Sequence, residues 1–140
     1  MNQFDHFAPS SKVWVYQAER NLSSEEVAVA DKAIEQFTEQ WAAHSQELKA
    51  KGAILHQRFL VLMVDESQAN ASGCSIDSSV HFVQELGKHL SIDFFDRLNI
   101  AYNVNKSIIN ETIETFALKS LLNCCFMAEF AVPLVIMSSR

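Results

Sequence analysis

Residues 53–65 read AILHQRFLVLMVD, and how this stretch is read decides the fold. Its second half, FLVLMV (59–64), is an almost unbroken apolar run. Such a run implies a strand buried on both faces, near the centre of a sheet. Taken as one element, 53–65 is a long second strand. Upstream, KVWVYQAE (12–19) is rich in β-forming residues and reads as the first strand. A helical segment lies between them. A strand–helix–strand unit of this kind is normally parallel and right-handed, so the two strands are expected to run parallel.

The intervening helix has the clearest pattern in the chain. Ser23 stands three residues before Glu26, the capping-box spacing, in which each side chain satisfies the other residue's free backbone N–H. Val27, Ala30, Ile34, Phe37, Trp41, His44 and Leu48 then recur in steps of three and four, which places them on one stripe. Gly52 reads as the end of this helix. The stripe fits a helix lying on a sheet, and it also fits a helix pairing across a dimer. Phe37 and Trp41 are expected to be buried, Lys49 and Lys51 exposed, and His44 a packed or edge residue.

A second helix is expected from about Ser75 to about Leu90, with Ile76, Val80, Val83, Leu86 and Leu90 as its buried stripe. LNIAYNV (98–104) and SIINETI (107–113) read as a hairpin turned by Asn105 and Lys106. ETFALKSLL (114–122) reads as a short helix. FAVPLVIM (130–137) reads as a last strand, interrupted or at an edge because Pro133 has no N–H to donate. The expected fold class is α+β, or a small α/β fold, beginning β-α-β-α-β. It has a mixed sheet of four or five strands and helices mainly on one face. Residues 1–140 read as one domain and 1–11 as a loose arm.

Composition narrows the partners. The chain has 140 residues, 49% hydrophobic and 20% charged, with ten Phe and two Trp to build a core. Its net charge of −6 repels phosphate backbones, and no basic stripe with interleaved aromatics occurs, so nucleic acid is not an expected partner. Residues 117–137 are apolar, but Lys119, Glu129 and Pro133 interrupt them, so no membrane span is expected. The N-terminus MNQFDHFAPSSK has neither the basic nor the apolar part of a secretory signal. The three cysteines, Cys74, Cys124 and Cys125, form no CxxC pair. This usage fits a reducing cytoplasm, with the adjacent pair read as small core residues.

The segment ASGCSIDSSVHF (71–82) follows the apolar strand and its two acids, Asp65 and Glu66. In open α/β sheets, the space between the carboxyl end of a strand and the start of a helix is the usual place for ligands. Free N–H groups at a helix start attract anions. The candidate ligand-binding residues are therefore Asp65, Glu66, Ser72, Gly73, Cys74, Ser75, Asp77 and His81. Capping explains the same residues without a ligand: Ser72 or Ser75 as the cap, Asp77 complementing the helix dipole. Cys74, Asp77 and His81 share a face at i, i+3 and i+7. A cysteine at a helix start favours the thiolate. Two turns separate Cys74 from His81, about 10 Å along the axis, too far for direct proton transfer. No pair has a zinc-ligand spacing, so no metal is expected. No GxxxxGK[ST] occurs, and no Lys or Arg lies between Arg58 and Lys88, so the loop is not a phosphate loop. In this placement Ile76 and Val80 enter the core, while Asp77 and His81 face outward together.

SKVWVYQAER, QWAAH, RFLVLMVDESQ, GCSIDSSVHFV and FFDRLNIAY occur in this order, and together they resemble a group of short Bacteroidetes proteins often labelled "ABC transporter ATPase". The resemblance covers about residues 10–104. It implies a cytoplasmic bacterial protein of one domain, and it carries no set of catalytic residues. The transporter label finds no Walker A motif here. The ending departs from the group's pattern as well: Val132 and Pro133 are followed by LVIMSSR, without the terminal Trp and His. The expected function is a non-enzymatic binding or interaction protein, as a possible homodimer. The alternative is a small enzyme or anion binder centred on Cys74. Catalytic residues, cofactor and small-molecule ligand are not identified by the sequence.

Overall fold

The computed structural model describes residues 7–8, 10–43, 46–66, 73–104, 107–115 and 118. The chain groups into two compact units, 1–95 and 96–140.

In the first unit, the stretch 53–65 is not one strand. It is most of a hairpin formed by β4 (Lys49–Leu55) and β5 (Phe59–Asp65), which pair antiparallel from Lys49↔Asp65 to Leu55↔Phe59. The turn between them has two residues in the left-handed region, His56 (φ 52°) and Gln57 (φ 55°), and the Arg58 N–H donates to the Leu55 carbonyl (3.0 Å). Primed hairpin turns need positive φ at both central residues and normally use Asn or Gly there. Here tertiary contacts hold the turn. The Leu22 N–H donates to the Gln57 carbonyl (2.7 Å) and the Ala18 N–H to the Arg58 carbonyl (2.9 Å). The buried Arg58 guanidinium donates to Asn21 Oδ1 (3.0 Å) and to the Glu19 carbonyl (2.9 Å).

β1 (Lys12–Gln17) pairs antiparallel with β5, from Lys12↔Val64 to Gln17↔Phe59. The sheet is thus three-stranded and antiparallel, in the order β1–β5–β4. This corrects the expected parallel pairing of 12–19 with 53–65, and among the described residues the sheet has three strands and is antiparallel, where a mixed sheet of four or five strands is expected from the sequence. The connection rule is not violated. β1 and β4 are both antiparallel to β5, so they run the same way, but β5 lies between them.

Helix α1 (Ser24–Gln40) joins β1 to the second part of the sheet and begins with the expected capping box. Arg20 adds a fork onto the Glu26 carboxylate (2.8 and 2.9 Å), which together with the Ser23 N–H holds that carboxyl at about 2. The helix stops at Gln40, not at Gly52. Trp41 is the C-cap, with extended backbone (φ −72°, ψ 117°). From there the chain forms a small antiparallel ribbon of β2 (Ala42–Ala43) and β3 (Gln46–Glu47), closed by the Leu48 N–H donating to the Trp41 carbonyl (2.9 Å). The Leu48 expected on the helical stripe is therefore buried from extended backbone, and His44 lies outside the described residues. Asp31 of α1 accepts from the Ile54 N–H of β4 (2.8 Å), occupying a backbone donor on an outer strand of the sheet.

Helix α2 (Gly73–Leu90) follows β5. Its buried positions are Ser75, Ser79, Val83, Leu86 and Gly87, while Ile76 and Val80 are only half-buried. The stripe is thus rotated from the expected one. Ser79 can enter it because its hydroxyl donates to the Ile76 carbonyl three residues back (2.7 Å), as the exposed Ser78 hydroxyl does to the Ser75 carbonyl (2.8 Å). The helix ends in a Schellman pair: the Ile92 N–H donates to the Gly87 carbonyl (2.9 Å) and the Ser91 N–H to the Lys88 carbonyl (3.3 Å). Ser91 (φ 54°) holds the left-handed position that glycine usually fills. Ser91→Gly is expected to raise unfolding free energy by about 1 kcal/mol in urea titration, by removing the cost of a Cβ at that φ.

The core of this unit lies on the face of β5 that carries Leu60, Leu62 and Val64. Ala30 and Ile34 of α1 and Val83 and Leu86 of α2 join it. Cross-strand neighbours Tyr16 and Ile54 flank Leu60, and Trp14 and Gly52 flank Leu62. On the other face of β5, Phe59 and Val61 are buried too, so the apolar run is covered on both sides.

In the second unit, β6 (Asn99–Val104) and β7 (Ser107–Thr112) form an antiparallel hairpin, the one expected at 98–113. Asp96 accepts from the Leu98 N–H (2.9 Å) and from Asn99 Nδ2 (2.6 Å) ahead of it. The turn at 105–106, the last strand at 130–137, Cys124 and Cys125, and most of the short helix at 114–122 lie outside the described residues. Among the described residues, no helix is long and apolar enough to cross a membrane.

Candidate functional site

The expected site at the end of β5 and the start of α2 is described except for Ser72, which lies outside the described residues. Asp65 is buried and accepts from Lys49 Nζ (2.7 Å), its cross-strand neighbour; Glu66 pairs with Lys12 Nζ (3.0 Å). Each acid thus has a lysine from a flanking strand. Gly73 is the first helical residue, and a Cβ there would meet nothing within 4 Å, so no close backbone approach calls for glycine. Cys74 is an exposed free thiol. Ser75 is not a cap. It is buried inside the helix, and its carbonyl accepts from the Trp41 indole Nε1–H (2.9 Å). Asp77 and His81 are both exposed, four residues apart. Among the described residues, no group of three His, Cys, Asp or Glu side chains stands close enough to hold a metal ion.

What the end of α1 and the first half of α2 do build is an aromatic joint. Trp41 meets Trp14 edge-on (centroids 5.7 Å) and Phe37 at a tilt (5.1 Å). Phe37 stacks on Phe82 (4.2 Å, planes 5° apart). Tyr16 lies edge-on to Phe95 (5.3 Å), and burial pushes its phenol up despite a hydrogen bond with Ser79. Trp41 touches Ser75 and Phe37 touches Phe82, so α1 and α2 run antiparallel.

Beyond this joint an open groove of about 370 Å³ is lined by both helices. Its floor is Val29, Ala33, Phe82 and Leu86, with Val29 45% exposed. Lys32 and Gln36 stand on the α1 wall and Glu85 and His89 on the α2 wall. Glu85 pairs along its own helix with Lys88 (2.7 Å), which draws its carboxyl below the usual range. A second hollow of about 300 Å³ lies at the end of α2, floored by Val83, Ile92, Phe94 and Phe95. The groove residues were not among the sequence candidates. The available signal was the breadth of the α1 pattern, where Val29 and Ala33 widen the stripe beyond what one sheet can cover.

Comparison with family models, curated proteins and solved structures finds no match to this chain.

Proposed function

We propose that this chain is a non-enzymatic interaction domain that works as a homodimer in a reducing bacterial cytoplasm. The observation that carries this reading is the open groove between α1 and α2, where apolar side chains line a concave surface with polar walls. Apolar side chains ringed by polar ones are the arrangement found in protein contacts. The free thiol of Cys74 supports the reducing setting. The competing reading, a small enzyme or anion binder around Cys74, has less behind it. Asp65 and Glu66 are already bonded to lysines, and Asp77 and His81 stand on the outer face of α2.

Sedimentation equilibrium at micromolar concentration tests the proposal. A mass about twice 15.8 kDa is expected. A single 15.8 kDa species at that concentration overturns it.

A further inference from the structure

We infer that the outer edge of β1 is the self-association surface, where it pairs antiparallel with β1 of a second copy about a two-fold axis at Trp14. This rests on the homodimer reading above and places the two-fold contact at the sheet edge rather than in the groove. The direction of each β1 group follows from its bonds. The Ala18 N–H donates to the Arg58 carbonyl (2.9 Å) just beyond the last register pair, Gln17↔Phe59. Antiparallel pairing alternates, so Lys12, Trp14 and Tyr16 bond to β5 as Ala18 does to Arg58, while Val13, Val15 and Gln17 turn their N–H and C=O groups outward. The chain itself covers part of that outer side: the Glu19 N–H donates to the Asp93 carbonyl (2.8 Å), and Gln17 bridges to Phe95. Among the described residues nothing bonds to the outer groups of Val13 and Val15, and Val13 is 47% exposed.

A bare edge specifies its occupant, because unpaired N–H and C=O groups at strand spacing are met by another strand. β4, the other outer strand, is guarded. Asp31 takes its outward Ile54 N–H, and Lys49 and Lys51 stand along it. β1 has one lysine, at its first position, and no proline. Self-pairing fits the gap that remains. An antiparallel pair is two-fold symmetric, as an isologous contact requires. With the axis at Trp14, Val13 and the second copy's Val15 exchange backbone hydrogen bonds. Trp14 meets Trp14, and Lys12 falls opposite Tyr16, so no like charges face each other. The gap has suitable ends too. The segment 93–95 stops the pairing after Tyr16. At the other end the chain leaves the line of the strand: the Ser11 N–H donates to the Ala8 carbonyl (2.9 Å), and the Phe7 ring lies 5.4 Å from Lys49 Nζ, on the opposite outer strand. Residues 7 and 8 thus turn away from the open edge, and the two-fold places the second copy's 93–95 segment in the space beyond Lys12.

Edge substitutions test this, read as dimer dissociation constants in sedimentation velocity, with circular dichroism melts to confirm folding. Val13→Pro removes only an outward N–H, where an edge strand tolerates proline, and should abolish association while the melt stays cooperative. Val13→Lys combined with Val15→Lys sets lysine opposite lysine on both sides of the axis and should raise the dissociation constant about tenfold. Val13→Lys combined with Val15→Glu sets lysine opposite glutamate in the same register and should bring the constant back to within about threefold of wild type. A wild-type monomer overturns both this inference and the homodimer reading. A wild-type dimer that a folded Val13→Pro chain still forms overturns the edge contact alone. So does a Lys–Glu chain that associates as weakly as the Lys–Lys chain, and these two charge variants decide the matter if the proline variant does not fold.

Discussion

Trp41→Ala is expected to lower the free energy of unfolding by about 4–5 kcal/mol, in the range of the largest core truncations. Trp41 is 2% exposed and stands where α1 stops and α2 starts. Its ring packs against Trp14 and Phe37, and its indole N–H is bonded to a carbonyl in the first turn of α2. Truncation removes the ring contacts, opens a cavity and leaves the hydrogen bond unmade. Small domains have total stabilities of about 5–15 kcal/mol, so this is a large share. Trp41→Phe keeps much of the volume and loses the donor, so a smaller loss of about 1–3 kcal/mol is expected. Urea unfolding followed by circular dichroism reads both. A Trp41→Ala protein within 1 kcal/mol of wild type would show that the aromatic joint does not hold the helices together.

Gly52→Ala should cost about 3 kcal/mol, although alanine suits a strand better than glycine does. A Cβ at this position would lie 2.6 Å from Ile34 Cγ2, 2.7 Å from Leu62 Cδ2 and 2.7 Å from the Val61 carbonyl oxygen. The last of these is backbone and cannot swing aside. The glycine lets α1 settle onto β4. If that is its role, Ile34→Ala should cost less in the Gly52→Ala background than in the wild type, because the extra methyl fills part of the space Ile34 leaves. Such non-additivity, read from a double-mutant cycle in urea, tests the contact. Strictly additive losses would mean that the two residues do not share the space.

Features signalled by local chemistry were legible in the sequence. The Ser23–Glu26 spacing starts α1 in the right place, FLVLMV marks the central strand, and the two strands of the 98–113 hairpin pair as read. Features decided by distant contacts were not. His56 and Gln57 carry none of the usual turn residues; the 18–22 segment and Arg58 hold them in place. Missing that turn hid the sheet order, and with it the pairing of Lys49 opposite Asp65 that neutralises half of the expected site. The apolar period of α1 ran on through Trp41 to Leu48 with no Pro or Gly before Gly52, so nothing local marked its end. In α2, hydropathy favoured Ile76 and Val80 over Ser75 and Ser79. The structure prefers the serines because small side chains let the helix approach Trp41 and Tyr16, and the Ser79 hydroxyl, bonded to its own helix, carries little desolvation cost.

The sheet order has a consequence for synthesis. The strand at the centre, β5, is the last of the three to leave the ribosome. β1, α1 and β4 all emerge before the element that both outer strands pair with, and Tyr16 must wait for Leu60. The nascent chain therefore cannot assemble this sheet strand by strand, and its apolar N-terminal segments stay unpaired until residue 65 is clear. β5 must then slot between two strands already tethered by a helix, a closure that depends on long-range contacts and sets in late.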